Sequence, residues 1–235
     1  MRGPIFYAYQ NMGGDYVFGY PKSEQQDLPG PNPHGVIYNQ FQNGYIVWSE
    51  AAGAVPATSL RMKDYRVVFE NVFSHNSHDD YGAGVWDMRF WVSGGPARGD
   101  IDGLLLNREH VDQHELVHFG DPEVTLTIPQ DILQGFGDFG IHVVTDGLER
   151  DCTSDDAPSP FEEGTDGLIG CFNNDDALGI VDITIPPGSI GPREFNSNYN
   201  HEAQERGLDA GNSEGDYTLK ICISDYSLGS CELEG

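Results

Sequence analysis

Along most of the chain, apolar residues come in short alternating runs, broken every few positions by Gly, Pro, Asn or Asp. Such a pattern predicts strands joined by turns. Tyr65, Val67 and Phe69 alternate with Arg66, Val68 and Glu70, so one side of that segment faces a core and the other faces away. Strands are expected near residues 65–73, 85–92, 124–128, 141–145, 168–172, 179–185 and 217–224, with a fainter one near 104–106. Only residues 130–135 and 200–207 read as helical turns. Seven or eight strands without a long amphipathic helix predict an all-β chain in which residues 61–235 form an antiparallel β-sandwich.

Residues 1–60 have a different texture, rich in Gly, Tyr, Asn and Gln and poor in Asp. Ile5-Phe6-Tyr7-Ala8-Tyr9, Met12-Gly13-Gly14, Phe18-Gly19-Tyr20-Pro21, the run from Tyr38 to Ser49 and Gly53-Ala54 suggest short aromatic strands between turn glycines. The paired glycines, the Gly-x-Pro, the Phe41-x-x-Gly44-x-Ile46-x-Trp48-Ser49 hairpin and the closing Gly-Ala resemble the LGFP repeat of actinobacterial and other cell-surface proteins, over about residues 5–55. Phe18 and Tyr20 stand where that family usually has Leu and Phe, and one copy stands where several usually follow in tandem. The resemblance implies association with cell-wall or envelope material, and a lone repeat is expected to cap or dock onto its neighbour.

Charge narrows the partners. Thirty-eight acidic residues against twelve basic ones leave −26, which repels a phosphate backbone and an anionic leaflet. Nucleic acid is excluded as a partner on this ground. No run nears the ~18 apolar residues of a membrane helix. No signal-peptide core follows Met1-Arg2-Gly3, and the expectation is that a secretion signal has been removed. With 30 Gly and 14 Pro the chain is turn-rich, and its 11% aromatic content gives it enough apolar mass to fold.

Cys152, Cys171, Cys222 and Cys231 form an even set with no CxxC. Sequence order favours the disulfides Cys152–Cys171 and Cys222–Cys231 among three possible pairings. Disulfides imply an oxidising, extracellular location; the alternative is four buried thiols in a cytosolic protein.

Acidic pairs recur in loops. If the sandwich gathers its loops at one end, Asp79, Asp80 and Asp87 meet Asn173, Asn174, Asp175 and Asp176, an oxygen-rich set suited to calcium. The Asp175-Asp176-Ala177-Leu178-Gly179 stretch resembles the third-loop ending of a C2-type sandwich. The competing reading is that each Asp starts a turn, within an acidic surface that solvates the fold, as in adaptation to high salt.

His114-Glu115-Leu116-Val117-His118 matches HExxH, the zinc-peptidase pattern in which a helix sets two imidazoles beside a general base. Gly120-Asp121-Pro122 follows at once and would stop such a helix, so a turn or irregular edge strand competes with it. Arg98-Gly99-Asp100 is an adhesive tripeptide in a Gly- and Pro-containing stretch, and also a common chance match. Tyr38, Tyr45 and Trp48 are candidates for stacking on sugar rings, or for the core of a small module. No G-x-S-x-G elbow, P-loop or dinucleotide fingerprint occurs.

The expected protein is secreted or cell-envelope-associated and non-catalytic: residues 1–60 a wall-associated module, residues 61–235 an acidic, calcium-stabilised, disulfide-bearing sandwich. Its partners are a cell-wall or other extracellular glycan or protein surface. Two alternatives stand beside it: a structural subunit that self-assembles through sandwich edge strands, and a zinc-dependent peptidase, the only reading that calls for zinc.

Overall fold

A computed structural model describes residues 3–32, 34–75, 84–95, 104–120, 122–150, 176–198 and 217–225. Two short helices and thirteen strands make up the described elements, so the chain is all-β in architecture.

The chain opens with α1 (Pro4–Asn11) and α2 (Gly14–Phe18), where strands were expected over Ile5–Tyr9. Ile5, Ala8, Tyr9 and Met12 pack against a single cluster, and their spacing of three and four residues is a helical stripe. Pro4 sits in the first turn of α1, where its missing N–H costs nothing. Gly13, left-handed at φ 100°, turns the chain into α2, a conformation that penalises any Cβ.

These helices cover one face of a four-stranded antiparallel sheet made of β1 (Gln26–Asp27), β2 (Ile37–Phe41), β3 (Gly44–Ser49) and β4 (Gly53–Ala57), in that order. Phe41 and Ile46 are buried against Ile5 and Phe18 on the helical side, and Tyr9 stacks on Phe41 with ring centroids 5.0 Å apart. The opposite face buries Val36, Tyr38, Val47 and Ala57, with Leu28, Leu60 and Met62 packed over them. Both faces of this small sheet are therefore occupied.

Nine further strands form two facing sheets, one or two more than the sequence pattern predicts. One sheet holds β6 (Gly84–Ser93), β7 (Leu104–Val111), β10 (Ile141–Arg150) and β11 (Asp176–Ile185) in the order β11-β10-β6-β7. The other holds β5 (Met62–Ser74), β8 (Leu116–His118), β9 (Glu123–Pro129), β12 (Gly191–Asn196) and β13 (Tyr217–Asp225). Its order is β12-β13-β5, with β8 pairing Asn71–Phe73 and β9 pairing Met62–Val68 along one edge of β5. Tyr65, Val67, Phe69, Trp86, Met88, Phe90, Val143, Leu219 and Ile221 are among the side chains that fill the space between the sheets. Each large side chain fully buried there contributes roughly 1.5–3 kcal/mol over leaving it exposed.

Residues 130–135 form bends and a turn, not the expected helical turn. Ile132 bridges to Ala57, Thr58 donates to the Asp131 carbonyl at 2.9 Å, and Leu133 donates to the Pro56 carbonyl at 3.0 Å. Pairing with β4 overrides the local preference. Leu133 and Phe136 then enter the helical cluster of the amino-terminal sheet, so this connector clamps the first module to the sandwich. A second junction lies at Gly94, whose N–H donates to the Ala52 carbonyl at 3.0 Å. A Cβ on Gly94 would stand 2.7 Å from the Ile128 side chain. The strand expected at 168–172 and the turn at 200–207 lie outside the described residues.

Candidate functional site

The hairpin of β2 and β3 explains why the glycine-aromatic motif takes its form. Phe41 closes a two-residue turn opposite Gly44, whose φ is 156°. A Cβ on Gly44 would stand 2.7 Å from the Ala57 carbonyl oxygen. Ile46 and Trp48 point to the helical side, and Ser49 Oγ accepts the Ala52 N–H at 3.1 Å. Phe18 is fully buried, Gly19 is left-handed at φ 69°, and Pro21 bridges to Phe41. The motif residues Phe18, Gly19, Phe41, Gly44, Ile46, Trp48 and Ser49 are thus spent on folding the module.

The three aromatic candidates follow the same logic. Tyr38 is buried and its hydroxyl donates to Gln26 Oε1 at 2.6 Å. Tyr45 is its ring neighbour at 6.2 Å, but Trp48 belongs to the cluster on the other face of the sheet. The three do not share one surface.

What the module does expose is a different set. Tyr7 in α1, Tyr16 in α2 and Tyr20 just beyond α2 are 65%, 92% and 66% exposed. Tyr20 is anchored through its backbone N–H, which donates to Gln42 Oε1 at 3.0 Å. The partly buried Tyr9 ring stacks on Phe41, and its hydroxyl donates to the Gly19 carbonyl at 3.2 Å. Burial, and then the nearby Asp15 carboxylate and Tyr20, push the Tyr9 hydroxyl's pKa up. Sequence reasoning did not single out Tyr7 or Tyr16 as exposed and took Tyr20 only as a motif residue, because it read this segment as short aromatic strands. The helical spacing of Ile5, Ala8, Tyr9 and Met12 was the signal that would have turned Tyr7 outward.

The HExxH stretch is not helical. His114 lies in the turn before β8 with φ 64°, and Leu116, Val117 and His118 form β8 itself. Glu115 Oε2 accepts the Asp112 N–H at 2.9 Å, while the backbone of His114 and Glu115 bonds to Ser74. The two imidazoles therefore do not stand on one helical face, because pairing with β5 has taken the segment. Among the described residues no three His, Cys, Asp or Glu side chains group as a metal site.

Of the calcium set, Asp87 lies in β6 opposite Leu148 of β10, and Asp176 begins β11 opposite Glu149. Asp79, Asp80, Asn173, Asn174 and Asp175 lie outside the described residues, as does Arg98-Gly99-Asp100. The Leu-Gly that follows Asp176 has a packing reason. Leu178 is buried in the sandwich core, and a Cβ on Gly179 would stand 2.8 Å from the Asn198 carbonyl oxygen. Cys222 is buried in β13 and is not a free thiol. Cys152, Cys171 and Cys231 lie outside the described residues, and with them the pairing. Among the described residues no helix is long and apolar enough to cross a membrane.

The LGFP repeat family matches residues 18–66. That span begins at Phe18, closing α2, and runs through β2, β3 and β4 into β5, so it starts later and ends later than the motif residues alone indicate. No curated protein matches the chain. LGFP repeats occur in cell-envelope-associated proteins.

Proposed function

We propose that this chain is a secreted or envelope-associated, non-catalytic binding and adhesion protein. Its LGFP module carries the ligand face, and its acidic sandwich serves as a rigid base. The carrying observation is the division of aromatic residues within the module. Phe18, Phe41 and Trp48 of the motif pack inward, while Tyr20 of the motif stands out in solvent together with Tyr7 and Tyr16. A tyrosine offers an apolar ring and a hydroxyl together, which suits stacking on sugar rings of wall or other extracellular glycans.

The sandwich is stiffened, in this reading, by calcium held among Asp79, Asp80, Asp87 and Asn173 to Asp176, and by Cys152–Cys171 and Cys222–Cys231 disulfides. Calcium takes six to eight oxygens, and the recurring carboxylates of the loops supply them. The clamp between Ala57 and Ile132 fixes the module on that base, so binding force would pass into the sandwich without a hinge.

The test is co-sedimentation of the full chain with purified bacterial cell walls, washed free of protein. The chain should pellet with the walls and remain bound in moderate salt, because stacking is not screened as ion pairing is. A chain that stays in the supernatant at every wall concentration would remove the reading.

A further inference from the structure

A cleft of about 170 Å³ opens where the loop before β2 meets the sandwich. Tyr65, Val67, Leu126 and Ile128 face the core, so Asp64 on β5 and Thr127 on β9, which are register partners, lie on the outer side and line the cleft. Leu28, Val36 and Met62 give it aliphatic walls. The loop wall is set in advance: Asn32 Nδ2 donates to the Val36 carbonyl at 2.7 Å, and Asn32 Oδ1 accepts the Val36 N–H at 2.8 Å.

No salt bridge among the described residues reaches the Asp64 carboxylate. Thr127 Oγ1 donates to Asp64 Oδ1 at 2.6 Å, and no other described side chain bonds to the Asp64 carboxylate. The cations beside it in sequence are engaged elsewhere, Lys63 with Asp225 and Arg66 with Glu123. A carboxylate with one side-chain hydrogen bond, in a cleft that sets Leu28, Val36 and Met62 beside the polar Asn32, His34 and Thr127, has room for a cation with a short apolar stem. The geometry points to a site for a primary alkylammonium group, with the ammonium on Asp64 Oδ2 and about four carbons against Leu28, Val36 and Met62. The chain's net charge of −26 raises the local concentration of such cations. Divalent metal fits less well, because the cleft holds one carboxylate and the Asn32 side chain is already bonded to the Val36 backbone. The site is separate from the tyrosine face, so each stands or falls alone.

Two sources share this chemistry, a free small amine and a lysine side chain of a protein partner. The probes are n-butylammonium, its uncharged match n-butanol, and Nα-acetyl-lysine-N-methylamide, titrated into the full chain at about pH 8, where an alkylammonium stays protonated. Amide shifts of Val36 and Thr127 serve as the readout. Butylammonium should saturate those shifts at least about tenfold more tightly than butanol, the weight of one charge-assisted hydrogen bond. Asp64→Asn should erase that advantage. Binding of the lysine derivative as tight as that of butylammonium supports a protein lysine, and its exclusion supports a free amine; either result keeps the ammonium site. Equal binding of butanol, an unchanged Asp64→Asn, or no saturable shift at Val36 and Thr127 would overturn it. The butylammonium and butanol pair decides the question even if the variant does not fold.

Discussion

The amino-terminal module and the sandwich it leads into bury their apolar residues in opposite styles. In the module a single four-stranded sheet is covered on both faces, by α1 and α2 on one side and by Leu28, Leu60 and Met62 on the other. In the sandwich two sheets cover each other. The first plan packs both faces of the sheet, and in the proposed reading contact with a glycan falls to the exposed tyrosines on and beside the two helices. In the second, Pro192, Arg193 and Glu194 on β12 stand exposed, while part of the outer side of β5 is covered. In the proposed reading, recognition belongs to the module and the acidic charge to the sandwich.

The largest expected effect tests whether that charge is used. If the sandwich loops hold calcium, chelation with EDTA lowers the melting temperature and added calcium restores it. At a hundredfold excess over Kd the stabilisation is about 2.7 kcal/mol, and magnesium gives less because it demands a tight octahedron. Asp79→Ala and Asp175→Ala chains that melt like the parent, with and without EDTA, would reduce the carboxylate loops to turns.

A somewhat smaller loss is expected from Gly19→Ala in the module. The residue holds φ 69°, and an added Cβ would stand 2.7 Å from Gln42 Cβ. Strain of this kind costs roughly 1–3 kcal/mol. Urea melts should show that loss, while the folded fraction still pellets with cell walls. Loss of wall binding in chains that remain folded would mean that the buried residues of the motif act in binding, against the division drawn above.

The smallest effect concerns the clamp between the two regions. The Ser59 hydroxyl, and then the Arg61 guanidinium, bond to Asp131 and hold its carboxyl below its ordinary pKa of 3.8. A folded-state pKa below the unfolded value contributes stability that is present above the unfolded pKa and lost as pH falls through the folded one. The pair is solvent-exposed, so the contribution is slight. Asp131→Asn should flatten only the part of the acid melting profile below the ordinary carboxylate range. The small difference between the two chains should hold steady from neutral pH down to the ordinary carboxylate range and shrink below it; a difference that stays constant through the acid range would place the contribution elsewhere.

Strands with a clear alternation were legible before any coordinates. The expected segments near 65–73, 85–92, 124–128, 141–145 and 217–224 fall within β5, β6, β9, β10 and β13. Even there alternation described only one face: Val68 and Glu70 are also buried, since the outer side of β5 is covered too. β8 and β12 were missed for physical reasons. β8 is a three-residue strand imposed by pairing with β5. β12 carries Pro192, Arg193 and Glu194 on an exposed edge, with no apolar signature. At the amino terminus a run of aromatics was read as β-propensity, although their spacing was helical. The LGFP resemblance located the module correctly through residues whose work is packing, so it could not by itself indicate which tyrosines face outward.

The most direct measurement compares two variants for cell-wall binding and melting temperature side by side. In the first, Tyr7, Tyr16 and Tyr20 are changed together to Ala; in the second, Tyr38 alone is changed to Ala. The outward set should abolish co-sedimentation with little change in melting temperature, because those rings are more than half exposed and surface substitutions usually fall within about 0.5 kcal/mol. The buried Tyr38 should lower the melting temperature while the folded chain still binds. Full wall binding by the triple variant, or loss of binding by folded Tyr38→Ala alone, would contradict the assignment of recognition to the helical cover.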